Sequence, residues 1–211
     1  QPLTAILSQA QAGRHLSRRG DVEALEPALH SIADQAKRAS AILERLRNWT
    51  VPAQDSDRMG EVGTALENVQ LLLAQEATRR GVALRFAAVH PPVPVRGDQI
   101  ELEQIIFNLV RNAIEAASGQ AQGEVTVTVD PSQDQVLVDV TDTGPGVAAE
   151  LRDRLFEPFV TGKPGGTGLG LALCHRLAER MGGEVLLVTA HPTLFRLRLP
   201  VRGLPVQGAL S

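Results

Sequence analysis

The sequence is poor in cysteine, in aromatic residues and in net charge. Its 211 residues include one cysteine, one tryptophan, five phenylalanines and no tyrosine. The single thiol, Cys174, excludes an intrachain disulfide and a cysteine-rich metal site. The scarcity of aromatics disfavours modules that stack bases or proline-rich peptides on aromatic platforms. A net charge of −3 argues against a dedicated nucleic-acid binder, so no nucleic-acid partner is expected.

Long apolar runs are also missing. No run approaches the ~18 residues that span a bilayer, and the N-terminus lacks the pattern of a signal peptide. The chain begins Gln1-Pro2-Leu3 rather than with methionine, and we interpret it as a fragment or a processed chain. We therefore expect that this fragment makes no membrane contact and has a cytoplasmic location, whether or not its parent protein is membrane-anchored.

The first 51 residues have the pattern of a helical hairpin. In its second half, apolar residues recur in steps of four and three, at Leu25, Leu29, Ile32, Ala36, Ala39, Leu43 and Leu46. This spacing is a heptad seam, as found in coiled coils and four-helix bundles. Because two helices alone cannot bury such a seam, residues 1–51 are predicted to form a homodimer through a four-helix bundle. Alternatively, the seam packs on the rest of the same chain.

The remainder predicts an α+β domain over residues 60–201, after a polar break at 52–60 and before a loose tail at 202–211. Helical periodicity predicts helices at about 62–80, from the cap Asp98 to 117, and at 169–181. Alternating apolar residues predict strands at 82–87, 124–129, 135–141, 184–189 and 193–199. We expect a mixed, mostly antiparallel sheet covered by helices.

Two asparagines stand out on the second of these helices. Asn108 and Asn112, in NLVRNAIEA, are four residues apart and so share one helix face. Asparagine is an indifferent helix former, and two of them amid apolar residues need partners. An asparagine carbonyl can bind Mg²⁺, and its amide can donate to phosphate. Taken alone, the pair is also compatible with solvated side chains.

A carboxylate ends the predicted strand before Thr143. In DTGPG, Asp142 can accept from an exocyclic amine, while Gly144 and Gly146 let the backbone pass close to a flat ring. A plain Asp-Gly turn is the alternative interpretation.

Two further segments follow along the chain. LFEPFVTGK, residues 155–163, holds two of the five phenylalanines, which could anchor the segment while Lys163 meets a phosphate. A surface loop pinned by Phe is the alternative. The second segment, GGTGLGL, leads into a helix, and backbone N–H groups at such a start form an anion site. It matches neither the P-loop nor the Rossmann pattern.

In this order, NLVRNAIEA, DTGPG, LFEPFVTGK and GGTGLGLAL resemble the N, G1, F and G2 boxes of sensor histidine kinases. The QPLTAIL start resembles the residues after the phosphoacceptor histidine in the HELNQPL-type H box. The short KPGGTGLGL segment resembles the lid of the oxygen-sensing and dicarboxylate-sensing subgroup. The resemblance covers the chain from Gln1 to about Pro200. It implies an ATP-binding α/β sandwich of the GHKL (Bergerat) type, shared with gyrase B, Hsp90 and MutL, behind a dimerising hairpin.

The resemblance also implies roles for individual residues. Asp142 would accept from the adenine amino group, Asn112 would hold Mg²⁺, and Asn108 would lie close to the phosphates or metal. Lys163 would face the triphosphate, under a lid formed by residues 147–166. The nucleotide-binding set implied in this way is Asn108, Arg111, Asn112, Glu115, Asp142, Gly144, Gly146, Phe159, Thr161, Lys163, Gly166, Thr167, Gly168, Leu169 and Gly170. The cofactors would be ATP and Mg²⁺.

The activity implied is that of an ATP-dependent protein-histidine kinase, whose phosphoryl group passes to an aspartate on a response-regulator receiver domain. In the family pattern HELNQPL this chain begins at the glutamine, so the phosphoacceptor histidine is missing and no catalytic residue is assigned. Two alternatives stay open. One is a degenerate module that dimerises and binds a regulator without phosphorylation. The other is a GHKL ATPase, against which the asparagine at 108, where such ATPases carry glutamate, argues.

Overall fold

The computed structural model describes residues 58–163 and 166–201, together with the single helical positions 10, 11, 14, 27 and 29. The chain divides into two compact units, Gln1–Pro52 and Ala53–Ser211. The predicted hairpin, its homodimer and the tail at 202–211 lie outside the described residues, apart from those five positions. Residues 58–163 and 166–201 all belong to the second unit.

Three α-helices form one layer of this unit. They are α1 (Val62–Arg79), α2 (Gln99–Ala117) and α3 (Gly170–Arg180). The carboxylates of Glu61 and Asp98 accept hydrogen bonds from first-turn N–H groups of α1 and α2, which stabilises both helix starts. The predicted cap at Asp98 is therefore confirmed. Helix α3 has no side-chain cap, so its first N–H groups keep their donor capacity.

A five-stranded mixed sheet forms the other layer, in the order β2-β4-β5-β7-β6. Its strands are β2 (Ala83–Phe86), β4 (Glu124–Pro131), β5 (Gln135–Asp142), β6 (Glu184–Ala190) and β7 (Thr193–Pro200). The β2–β4 pair is parallel and the other three pairs are antiparallel. Because β5 is the central strand, its last residue, Asp142, lies in the middle of the row of strand ends at one end of the sheet.

A small second sheet was not expected from the sequence. Strand β1 (Met59–Glu61) pairs antiparallel with β3 (Pro94–Arg96). Neither strand is among those predicted from the sequence. Three-residue strands are too short to show an alternating pattern, so their pairing is visible only in the fold.

The core lies between the helices and one face of the sheet. Helix α2 supplies its centre, with Leu102, Ile105, Ile106, Val110, Ile114 and Ala117 all fully buried. Alternate residues of β4, β5 and β7 are buried with them, which is the pattern of a sheet covered on one face. Cys174 is a buried thiol in this core. Across residues 58–163 and 166–201 no helix is both long and apolar enough to cross a membrane.

Candidate nucleotide site

The two asparagines of α2 face the first turn of α3. Asn108 is 7% exposed, and its Nδ2 donates to the carbonyl of Gln104 at 3.0 Å. A Cβ built on Gly170 would lie 3.8 Å from Asn112 Nδ2 and 4.0 Å from Asn108 Oδ1. The residues predicted from two separate motifs are therefore neighbours. Because the amide nitrogen of Asn108 is engaged, its carbonyl oxygen is the atom left for the space beside α3.

Asp142 ends the central strand β5 and is 3% exposed. Its Oδ1 accepts from Gly144 N at 2.8 Å and from the Thr193 hydroxyl at 3.2 Å. Among the described residues both bonds go to Oδ1, so Oδ2 keeps its capacity to accept. Burial raises the pKa of the Asp142 carboxyl above its ordinary value, and the two hydrogen bonds partly offset that rise. The site is thus a buried acceptor with one free oxygen.

Gly144 is required by a close approach of two backbones. A Cβ at this position would lie 2.8 Å from the carbonyl carbon and oxygen of Ala116, near the end of α2. No side chain fits there, so the chain leaving β5 passes directly against α2. Gly146 follows, next to the main chain of Ala190. The glycines of DTGPG therefore bring Asp142 and α2 together.

The LFEPFVTGK segment is held at one phenylalanine and not at the other. It follows a short 3₁₀ helix, Ala149–Arg154. The rings of Phe156 and His175 of α3 lie 5.3 Å apart between centroids. Phe159, in contrast, is 70% exposed. The expectation that both phenylalanines anchor the segment was therefore wrong for Phe159, whose ring faces solvent.

The loop between LFEPFVTGK and the glycine-rich segment is closed at its base. Phe159 N donates to Gly168 O at 3.0 Å. Gly168 has φ +64, and a Cβ there would lie 2.4 Å from the carbonyl carbon of Phe159. Leu169 follows and is buried at 3% exposure, which fixes the loop to the core. Only glycine meets both demands at position 168.

Inside that loop the polar residues form a tight turn. The hydroxyl of Thr161 accepts from Lys163 N at 3.1 Å, and Gly166 N donates to Lys163 O at 3.0 Å. Thr167 is half-buried between this turn and Gly168. Residues 164 and 165 lie outside the described ranges. The Lys163 side chain extends from this turn to α2.

Lys163 ends at α2 itself. Its Nζ lies 2.9 Å from Glu115 Oε2 and donates to the main-chain carbonyl of Asn112 at 3.4 Å. Arg111, one turn earlier on α2, has its Nε 3.4 Å from Glu115 Oε1 and 3.9 Å from Glu76 Oε2. Two predicted residues, Arg111 and Glu115, thus form ion pairs with other side chains of this site.

The family model of histidine kinase-, DNA gyrase B- and HSP90-like ATPases matches residues 97–203, a little over half of the chain. This chain belongs to that family. The matched segment begins just before α2 and continues beyond β7, so it contains every described residue of the predicted nucleotide set.

The family's sensor kinases include the relatives that match over most of this chain. The sensor protein FixL of Bradyrhizobium diazoefficiens is 32% identical over 189 residues, covering 88% of this chain and 37% of that protein. The sensor histidine kinase ZraS of Escherichia coli (strain K12) is 34% identical over 172 residues, covering 81% of this chain and 37% of that protein. The chain thus spans about a third of the length of these relatives. The resemblance to the catalytic core of sensor histidine kinases is confirmed.

Solved structures of the histidine kinase ThkA are similar as well. Its nucleotide-free catalytic domain is 28% identical with a TM-score of 0.60, over 68% of this chain and 97% of that one. ThkA in complex with the response regulator TrrA matches with a TM-score of 0.73 at 22% identity, over 96% of this chain and 58% of that one. The predicted GHKL α/β fold, with a mixed sheet covered by helices, is therefore confirmed.

One residue of the candidate site was not predicted from the sequence. Thr193 is 2% exposed and stands directly opposite Asp142 in the β5–β7 register. Its hydroxyl is the second donor to Asp142 Oδ1. The sequence places Thr193 at the start of a strand, but only strand order and register bring it to Asp142. It orients the carboxylate so that Oδ2 stays free.

Replacing Gly168 by alanine is expected to open the base of the loop. A positive φ alone costs an alanine about 1–2 kcal/mol, and here the Cβ also meets the Phe159 backbone. Gly81→Ala is the matched control, since Gly81 has φ +67 with nothing within 4 Å of its Cβ. Hydrogen exchange at the Phe159 N–H should accelerate in Gly168→Ala and stay at the parent rate in the control. An unchanged rate in both variants would show that Gly168 is not needed to close the base of the loop.

Proposed function

We propose that this chain binds ATP with Mg²⁺ around Asp142, Asn112 and the start of α3, and that it is the ATP-binding catalytic part of a sensor histidine kinase. One observation carries the proposal. A buried carboxylate, an asparagine pair and an uncapped helix start are brought together, because the chain after Asp142 passes against α2 and the asparagines of α2 face the start of α3. The three features suit the base, the metal and the phosphates of Mg-ATP, respectively.

The residues fit the nucleotide chemically. Asp142 Oδ2 is an acceptor that suits the adenine amino group, and burial strengthens that bond by excluding water. The N–H groups of Gly168, Leu169 and Gly170 and the positive end of the α3 dipole suit the phosphates. Around them, Gly144, Gly146, Phe159, Thr161 and Thr167 would line the nucleotide.

Asparagine carbonyl oxygens are ligands that Mg²⁺ accepts together with water and phosphate oxygens. Asn112 would therefore hold the metal, with Asn108 beside it, where the carbonyl oxygen of Asn108 accepts no hydrogen bond from the described residues. Bound Mg²⁺ would neutralise charge on the phosphates during transfer.

Phosphoryl transfer requires little covalent chemistry from the protein. A histidine nitrogen would attack the γ-phosphorus while the bond to the β–γ bridging oxygen breaks, and ADP leaves. The chain's residues supply position and charge neutralisation, through Lys163 and the α3 N-terminus. Asn108 stands where gyrase-like ATPases have glutamate, and an amide cannot take a proton from water. This favours transfer to a histidine over hydrolysis.

The remaining partners belong to the same proposal. Residues 1–51 would form the homodimer through a helical hairpin, and a receiver domain of a response regulator would accept the phosphoryl group. The ThkA–TrrA complex supports the second partner, because the fold of that kinase is shared. Domain bounds of 1–51 and 60–201 and a cytoplasmic location are part of this proposal.

The transfer step is tested on a chain that carries the full family pattern around the phosphoacceptor histidine. The chain would be extended upstream by a helical turn ending in His-Glu-Leu-Asn, which completes the family pattern before Gln1, and incubated with γ-labelled ATP and Mg²⁺. We expect acid-labile, alkali-stable label on the extended chain, and none when the new histidine is glutamine. Steady ATP hydrolysis without label would favour a GHKL ATPase. ATP binding with neither label nor hydrolysis would favour a degenerate module.

A further inference from the structure

Glu115 is held between two cations that come from different parts of the fold. Its Oε1 lies 3.4 Å from Arg111 Nε, and its Oε2 lies 2.9 Å from Lys163 Nζ. Arg111 belongs to the same helix, whereas Lys163 is 48 residues further along the chain. Each carboxylate oxygen therefore has its own partner, and the side chain joins α2 to the loop before α3.

A carboxylate in this place is unsuited to contact a triphosphate. An ionised glutamate can only accept hydrogen bonds, and ionised phosphate oxygens have no hydrogen to donate. Two unit charges of like sign 4 Å apart repel by about 4 kcal/mol at the effective dielectric near a protein surface. The nucleotide contact implied for Glu115 by the family resemblance is thus disfavoured, and its two cationic partners suggest another role.

Arg111 is the partner of the carboxylate oxygen that does not face Lys163. Its Nε is buried and has no hydrogen-bond partner in the described part of the chain, yet it lies between Glu115 and Glu76 of α1. Glu76 in turn pairs with Arg80. Charges therefore alternate from α1 across α2 to the loop, and the positive charge of Arg111 lies next to Oε1 of Glu115.

Lys163 gains a fixed position from this arrangement. An ammonium has three donors, and two of them reach Glu115 and the Asn112 carbonyl, which belongs to the residue proposed to hold Mg²⁺. One donor remains within the described surroundings. The Lys163 side chain is 45% exposed, so without an anchor its flexible stem would sample solvent.

We propose that Glu115 is a positioning residue, which anchors Lys163 to α2 so that its ammonium is already placed for the phosphates of ATP. This inference rests on the proposed nucleotide site and assigns a separate role to each of three residues. Lys163 touches phosphate, while Glu115 acts through Lys163 and Arg111 supports Glu115.

A double-mutant cycle tests the proposal through binding of Mg-ATP and of adenosine. Glu115→Gln is expected to weaken Mg-ATP binding about two- to fivefold, the range for a half-exposed ion pair, and to leave adenosine binding unchanged. In the Lys163→Met background, Glu115→Gln should cause no further loss, because the residue it acts through is gone. Glu101→Gln is the matched control, since Glu101 on the same helix pairs with Arg180 of α3. It should bind Mg-ATP like the parent.

A second readout needs no nucleotide and separates this inference from the proposed function. In the nucleotide-free protein, Glu115→Gln should accelerate hydrogen exchange at the Phe159 and Gly166 N–H groups, which close the loop that carries Lys163. Glu101→Gln should not. Unchanged exchange overturns the inference even if the parent binds no nucleotide. So does tighter Mg-ATP binding, an equal loss in both backgrounds, or a parallel loss of adenosine binding. Failure of the parent to bind Mg-ATP, with exchange altered as expected, would instead sink the proposed function.

Discussion

Asp142→Asn is expected to reduce ATP affinity by about 10- to 100-fold. The amide can keep the bonds from Gly144 and Thr193 through its oxygen. Its NH₂ group, a donor, then faces the adenine amino group in the place where the carboxylate offered an acceptor. A hydrogen bond to a charged acceptor is worth about 1.5–3 kcal/mol, and 1.4 kcal/mol is tenfold in affinity. Calorimetric titration of both proteins with Mg-ATP measures the difference.

Asp139→Asn is the matched control for this variant. Asp139 lies on the same strand, three residues earlier, and makes a two-pronged ion pair with Arg196 at 2.7 Å. The Asp139→Asn variant loses a charge and an ion pair, but Asp139 lies outside the proposed site. The ATP affinity of this variant should therefore equal that of the parent. Equal affinity in Asp142→Asn as well would show that adenine binds elsewhere.

Acidity should affect stability and binding in defined directions. Burial raises the pKa of the Asp142 carboxyl above the ordinary 3.8, so the native state binds this proton more tightly than the unfolded state. The charged form therefore destabilises the fold above the raised pKa. Asp142→Asn should unfold at a higher temperature than the parent at neutral pH, and the gap should close below pH 3.8. Parent ATP affinity should fall on acidification through the raised pKa, as the acceptor becomes protonated.

Asn112→Ala is expected to weaken Mg-ATP binding by at least about tenfold, while adenosine binding stays unchanged. The reason is that Asn112 supplies the proposed metal ligand, and interactions with charged groups are worth about 1.5–3 kcal/mol. The dependence of ATP affinity on Mg²⁺ concentration should flatten in the variant. Titrations with ATP at low and high Mg²⁺ measure this.

Asn68→Ala controls for the loss of an asparagine from a helix surface. Asn68 lies on α1, and its amide donates to Glu103 of α2 at 2.8 Å. It contributes to the α1–α2 contact but lies outside the proposed site, so Mg²⁺ dependence should match the parent. If Asn112→Ala lost adenosine and ATP affinity together, Asn112 would serve the structure of the site rather than the metal.

Regular elements of this fold were predictable because their patterns are strong. Helix α2 was placed from the cap Asp98 to residue 117, where the structure has Gln99–Ala117. Strand β5 was placed at 135–141, where the structure has Gln135–Asp142. Buried positions along both elements recur at the helical or strand period, which sequence alone displays. The short strands β1 and β3 have no such pattern and were missed.

Contacts between distant segments were not predictable from local pattern. The pairing of Thr193 with Asp142 spans 51 residues and depends on β7 lying next to β5. The pairing of Lys163 with Glu115 depends on a loop that turns back onto α2. Family resemblance put Glu115 in the nucleotide set without indicating a partner. Phe156 packs against His175 whereas Phe159 is exposed, and the sequence LFEPFVTGK does not show which of the two rings packs.

The most direct test of the central claim is calorimetric titration of this chain with ATP, with and without Mg²⁺. The account predicts saturable binding with one nucleotide per chain, tighter with Mg²⁺ and absent for GTP, because Asp142 offers an acceptor to the adenine amino group and guanine has a carbonyl in that place. Absence of binding at millimolar ATP, or equal binding of GTP, would contradict the assignment of the site.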